Sequence, residues 1–245
     1  MSILGIIPAR YASTRFPGKP LVDIGGKSMI QRVYEQASQA ALQKVIVATD
    51  DSRIMEHVQS FGGNVVMTAE AHESGTDRCF EAYQKNNEEF EYVINIQGDE
   101  PFIQPGQIDL LASLLQDNST QLATLIKKIT TDEELHNVNL PKVVIDARGQ
   151  ALLFSRQTIP FLRNVPASDW LLHHTFYKHI GIYGYRTDIL EQITRLPAGT
   201  LERSESLEQL RWLENGFKIA TAVTELENLG IDTPADLEKV KGFLG

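Results

Sequence analysis

Ile7-Pro8-Ala9-Arg10-Tyr11-Ala12-Ser13-Thr14-Arg15-Phe16-Pro17-Gly18-Lys19-Pro20-Leu21 continues the apolar run that begins at Ile3. An uninterrupted apolar run of this kind reads as a strand buried on both faces. Beyond Ile7 the chain turns to Pro, Arg, Ser, Thr and Gly, so a polar loop leaves the carboxyl end of that strand. Ligands of open α/β sheets bind at this position. Arg10, Arg15 and Lys19 bring three cations within ten residues, and Ser13, Thr14 and Gly18 can present backbone N–H groups. A triphosphate, with about four negative charges, calls for this mixture of close donors and cations. Arg can grip two oxygens, whereas Lys acts as a point charge. On cation spacing alone, a solvated basic loop is the alternative. The segment is not a Walker loop: Gly26-Lys27-Ser28 has the right ending, but Leu21 stands where the pattern needs Gly. Gly25-Gly26-Lys27 reads as a hairpin-like turn.

Outward from this loop, short β-rich runs alternate with helical patterns. Helices are predicted over Ser28 to Ala41, from Asp51 to about Phe61 before Gly62-Gly63, and from about Thr76 to Lys85. Strands are predicted at Val45 to Ala48, Val65 to Met67 and Tyr92 to Ile96. The alternation predicts an α/β fold in three layers around a mostly parallel sheet. From Leu122 the pattern becomes more extended. Val143 to Phe154 reads as a hairpin turning at Arg148-Gly149, Pro160 to Pro166 as a loop, and Leu207 to Glu214 as a short helix capped by Gly216. Ile219 to Val223 reads as another strand, and Thr233-Pro234-Ala235-Asp236 as a helix start. The expected organisation is one domain over residues 1–245, with a β-rich insertion at approximately 122–190.

The chain has 245 residues, enough to bury roughly 70–75% of its unfolded surface without staples. Its one cysteine, Cys79, excludes an intrachain disulfide and reads as a small buried hydrophobe. A net charge of -9 argues against a general nucleic-acid surface. No stretch approaches the roughly 20 apolar residues of a membrane span, and the first residues carry neither a signal-peptide core nor a basic leader. A cytoplasmic enzyme is the expectation.

The run from Ile7 to Leu21 resembles the signature of the 3-deoxy-manno-octulosonate (Kdo) cytidylyltransferase family. Further stretches similar to that family are Val47 to Asp50, Ser74 to Arg78, Asn95 to Pro101, Phe154 to Arg156, His179 to Arg186, Leu207 to Arg211 and Gly230 to Pro234. Each is weak alone, and their order along the chain is specific. The resemblance implies a nucleotide-diphospho-sugar transferase fold and transfer of CMP from CTP to the anomeric hydroxyl of Kdo or its 8-amino analogue, releasing pyrophosphate for lipopolysaccharide biosynthesis. A cytidylyltransferase for another sugar acid such as sialic acid is the alternative, and a silent nucleotide-binding protein is a third reading.

The resemblance also implies roles. Ala9, Arg10, Ser13, Arg15, Lys19, Arg78 and Gln97 would bind the nucleotide, with Lys19, Arg10 and Asp99 catalytic. Mg²⁺ would sit on Asp99 and Asp232; Mg²⁺ usually needs one or two carboxylates, with substrate oxygens and water completing its shell. On pattern alone, Asp232 before Thr233-Pro234 also reads as a turn and capping residue. Gln97, Arg156, His179, Tyr183, Glu208 and Gln209 would bind the sugar acid. On pattern alone Arg78 reads as a first-turn helix residue, Tyr183 as a core aromatic and Glu208 as part of a solvated helix face. His173 and His174 are adjacent and would point apart, so no histidine metal cluster is expected. A homodimer through the extended second half is implied. One stretch departs from the family pattern: Glu202-Arg203-Ser204-Glu205-Ser206 replaces a run resembling Glu-His-Ile-Glu-Met.

Overall fold

The computed structural model describes residues 1–12, 16–227, 230–231 and 233–241. Strand β1 (Ile3–Ala9) ends at the polar loop, which runs into a 3-10 turn at Lys19–Leu21. The small hairpin β2 (Asp23–Ile24) and β3 (Lys27–Ser28) follows, turning through Gly25 and Gly26 at φ 61° and 82°. Helix α1 (Met29–Ala37) starts where the Ser28 side chain accepts from the Gln31 amide. It is shorter than the predicted span because Ser38 to Leu42 form turns back to β4 (Lys44–Thr49). Helix α2 (Ser52–Ser60) is capped by Asp51, and Gly62 at φ 79° releases the chain to β5 (Val65–Met67). Helix α3 (Gly75–Lys85) is capped by Ser74, and β6 (Tyr92–Asn95) follows.

The second half holds α4 (Pro105–Leu114), β7 (Leu122–Lys128), α5 (Asp132–His136), β8 (Lys142–Ile145) and β9 (Ala151–Ser155). After these come α6 (Trp170–His173), β10 (Tyr177–Arg186), α7 (Thr187–Thr194), α8 (Thr200–Glu205), α9 (Gln209–Glu214), β11 (Ile219–Val223) and α10 (Pro234–Lys241). Among the described residues the main sheet runs β11-β7-β10-β6-β1-β4-β5, with β8 on β10 and β9 on β8. All strands of the seven-strand path are parallel except β10, which runs against both β6 and β7.

Two cores flank the sheet. Ile3 and Ile7 of β1 pack with Val33 of α1 and Ile108 and Leu111 of α4. Leu4 and Ile6, on the other face, pack with Cys79 of α3, Ile189 of α7 and Trp212 of α9. The strict alternation of β1 therefore feeds both layers, which is why its sequence is apolar throughout.

The β-rich stretch 122–190 differs from a peripheral insertion. Its outer strands, β7 and β10, are interior strands of the main sheet, and β10 meets β6 with Tyr183 opposite Asn95. What stands apart lies between β7 and β10, where Ile129, Leu135, Trp170 and Phe176 form a small core of their own. The predicted hairpin is β8 and β9, turning at Gly149 with φ 76°.

Candidate active site

The polar loop leaves β1 beside the turn that leaves β6. That closeness depends on Gly98: a Cβ there would come within 2.7 Å of the Pro8 carbonyl oxygen. A backbone atom cannot yield as a flexible side chain can, so glycine is required for the two chains to approach. The turn carries Asp99 toward the loop, and the Lys19 Nζ donates to Asp99 Oδ2 at 2.8 Å. Lys19 is 13% exposed and Asp99 35%, so the pair lies at the rim rather than in the core. Ala9 closes β1, buried against Thr49 of β4. Arg10, the next residue, is exposed and donates to the His72 carbonyl at 3.3 Å. Ser13, Arg15 and Asp232 lie outside the described residues. Ile231 donates its amide to the Asp99 carbonyl at 2.9 Å, which brings the chain after β11 back to this rim.

Asp99 offers a hard carboxylate oxygen to a divalent cation. Among the described residues no set of three or more His, Cys, Asp or Glu converges on one point. Mg²⁺, which keeps waters and takes substrate phosphate oxygens, needs only one or two protein carboxylates.

Arg78 lies beneath the rim, with protein partners of its own. It is 1% exposed, its Nη2 bonds Asp50 Oδ2 at 2.6 Å, and its Nη1 bonds Thr68 Oγ1. These partners brace α3 against the ends of β4 and β5. A desolvated guanidinium needs such partners, and the helix position of Arg78 puts it beneath the rim. The Gln97 side chain lies beside Gly181 of β10, where a Cβ would meet its Cγ at 3.7 Å.

On the β10 side the site is more enclosed. The Tyr183 hydroxyl, Gln209 Nε2 and Asn95 Oδ1 are buried without hydrogen-bond partners among the described residues. Tyr183 packs edge-on to Trp212, tying β10 to α9. Buried polar atoms are rarely left unsatisfied, and Gln107 Nε2 of α4 is in the same state. Asn95 was not singled out from the sequence; only its place at the end of β6, two residues before Gln97, could have pointed to it. Glu208 accepts from Thr76 Oγ1 at 2.8 Å, at the N-terminus of α3. Burial, with Asp77 nearby, raises its pKa against the bonds from Thr76 and Ser74. It is not the solvated face residue that its helical pattern suggests.

His179 contacts Thr124 Oγ1 through Nε2 at 3.0 Å and packs edge-on to Phe154. Burial pushes its pKa down to about 3, so the ring is neutral near pH 7. Arg156 is oriented by three carbonyls: it donates to those of Glu205, Ser206 and Val138, which leaves two of its five N–H groups. The segment that departs from the family pattern supplies two of these acceptors. Glu205 also accepts from Ser155 Oγ and the Arg156 amide, and Ser206 takes φ 52° at the end of α8. Glu202 is held by the Arg211 fork. A cavity of about 730 Å³ opens beside these residues, lined among others by Asp77, Glu202, Arg203 and Glu208.

A parallel sheet with one reversed strand, a cationic loop and a carboxylate at the carboxyl rim, and a polar enclosure beside them define a nucleotidyltransferase of the nucleotide-sugar type. The cytidylyltransferase family profile matches residues 4–219. A 3-deoxy-manno-octulosonate cytidylyltransferase of Cytophaga hutchinsonii is 61% identical over 242 residues, covering 98% of this chain and 96% of the relative. One of Parabacteroides distasonis is 56% identical over 248 residues, covering 100% and 98%. The solved CMP:2-keto-3-deoxy-manno-octonic acid synthetase complexed with CTP superposes with a TM-score of 0.92 at 44% identity, covering 100% of this chain and 98% of that one. The chain belongs to the 3-deoxy-manno-octulosonate cytidylyltransferase family.

Proposed function

We propose that the protein transfers CMP from CTP to the anomeric hydroxyl of Kdo, with Mg²⁺ as its metal. The sugar oxygen bonds to the α-phosphorus, the bond from that phosphorus to the bridging oxygen of pyrophosphate breaks, and the hydroxyl proton is released. The observation that carries this reading is the Lys19–Asp99 pair at the carboxyl rim of β1 and β6, the part of the fold where a triphosphate meets both a cation and a metal-binding carboxylate.

Bound at Asp99, Mg²⁺ would polarise the α-phosphate and offset its charge. Lys19 and Arg10 would hold the phosphates, placing fixed positive charge where negative charge develops. Gln209, Tyr183 and Asn95 would meet sugar hydroxyls. Neutral His179 can exchange a hydrogen bond but adds no charge. By the resemblance, Arg156 would meet the sugar carboxylate through the N–H groups that its carbonyl bonds leave, beside the bound cation. The product would feed lipopolysaccharide assembly from the cytoplasm; no helix of the described residues is long and apolar enough to cross a membrane.

Pyrophosphate release tests this reading. CTP with Kdo and Mg²⁺ should give turnover, and chelating the metal should stop it. No release under these conditions would overturn the assignment. Running 8-amino-3,8-dideoxy-manno-octulosonate at equal concentration separates the two sugars, since acidic groups beside Glu208 could accept from its ammonium.

The same reading includes a homodimer. Val138, Leu152, Phe161 and Leu172 lie exposed between β7 and β10, with Phe161 at 74% and Leu172 at 83%. Exposed apolar side chains of this size are what a partner subunit would cover. Light scattering should give twice the chain mass, and a monomer mass at micromolar concentration would refute the dimer.

A further inference from the structure

The phosphate loop is closed at its base by Tyr11. Its carbonyl accepts from the Gly18 amide at 3.0 Å, joining the two ends of the loop. The phenol end of its ring lies against Gly18, where a Cβ would come within 3.2 Å of Cζ and Oη. Gly18 also has φ 72°, a conformation that favours glycine, and a Cβ there would press on the ring. On the face of the ring stands the Arg53 guanidinium, 3.3 Å from the centroid. Arg53 is itself fixed: Nε and Nη2 grip the two oxygens of Asp51 at 2.9 and 2.6 Å. That fork raises the Arg53 pKa and lowers that of Asp51. Asp51 is the cap of α2, whose position is set by the core through Ile54 and Val58.

These contacts form a chain from the rigid layer to the loop: α2, Asp51, Arg53, the Tyr11 ring, Gly18, and then Lys19. The Arg53 side chain is 56% exposed, so this is not a core brace. An ordered surface Arg of this kind is a cation–π partner with its fork already oriented. We propose that Tyr11, clamped by the Arg53–Asp51 fork, is a positioning residue that holds Gly18 and Lys19 in place for CTP. It rests on the reading of Lys19 as part of the triphosphate site. Fixing Lys19 beforehand lowers the ordering cost of association, so the effect falls on CTP and not on the sugar.

Arg53→Ala is the first test. It leaves the α2 cap in place, because Asp51 accepts from the Arg53 backbone amide at 2.9 Å. Truncating an exposed side chain also opens no cavity. Calorimetric CTP binding and steady-state kinetics on the whole protein should show a roughly two- to five-fold rise in Kd and KM for CTP, the size of an exposed cation–π contact. KM for the sugar acid and the melting temperature should hold. Tyr11→Leu should weaken CTP by about ten-fold, while Tyr11→Phe should restore it to within about two-fold. In the double variant the two losses should not add, because they break one contact. Unchanged CTP affinity in Arg53→Ala, or equal losses for CTP and sugar, would overturn the inference. Absence of CTP binding by the unaltered protein would instead overturn the assigned function, and the inference with it.

Discussion

The two sides of the site hold the same kinds of cation in opposite states. On the β1 side, Lys19 and Arg10 lie at the rim, where Lys19 meets one carboxylate oxygen of Asp99 and Arg10 makes a long bond to a carbonyl. Behind the rim, Arg78 at the ends of β4 and β5, and Arg156 and Arg211 beside β9 and α9, are held through two or more donors each. A buried cation that loses its partners leaves an uncompensated charge. The rim cations stand where a ligand would enter, and the buried ones shape the wall around it. A residue type does not show which of the two roles it has; its burial and its partners do.

The sharpest way to break this contrast is to remove one cation at the rim and one behind it. Lys19→Ala should lower kcat by 10²–10³-fold, the scale of a lost charge-stabilising donor, with a melting temperature close to that of the unaltered protein. Arg78→Met should do the reverse. It strands Asp50 and Thr68 in the core and should cost about 3 kcal/mol of stability in denaturant unfolding. Its kcat, measured on the folded fraction, should fall far less. A Lys19 variant that keeps its turnover, or an Arg78 variant that is stable but inactive, would reverse the two assignments.

The sequence makes the rim more legible than the wall. The rim is local in the chain: an apolar run, a loop with cations and glycines, and a second strand ending in Gln97-Gly98-Asp99. Periodicity places both strand ends, and the order of α/β units puts them at the same edge. The parallel β1, β4, β5 and β6 were readable for the same reason. The wall depends on long-range pairs. Arg78 meets Asp50 across 28 residues and Arg156 meets Glu205 across 49, which no spacing rule connects. Strands β7 and β10 were readable as extended chain, but not as interior strands of the main sheet, because a reversed strand between parallel neighbours leaves no local mark. Helices α4 and α7 went unmarked in the sequence, although the first opens on Pro105 after a Gln104 cap. Asn95 and Tyr183 carry the same difficulty: each looks like a core strand residue until their pairing across β6 and β10 is known.

A smaller effect sharpens the comparison through pH. His179 belongs to the wall, and its burial lowers its pKa from 6.5 to about 3. A group with a depressed folded pKa that is charged when protonated favours the folded state only while it stays neutral. Between pH 6.5 and 3 the unfolded chain binds a proton that the folded chain refuses, so stability falls as pH falls through that window and is fully present above it. With allowance for solvent contact at the ring, the loss between pH 7 and pH 5 is about 1–2 kcal/mol. His179→Gln keeps a polar group opposite Thr124 and has no proton to gain there, so its unfolding free energy should change less over that interval. Parallel denaturant titrations at the two pH values measure the difference. If both proteins lose the same stability, His179 is open to water and charges freely, and the neutral wall described for the sugar side does not include it.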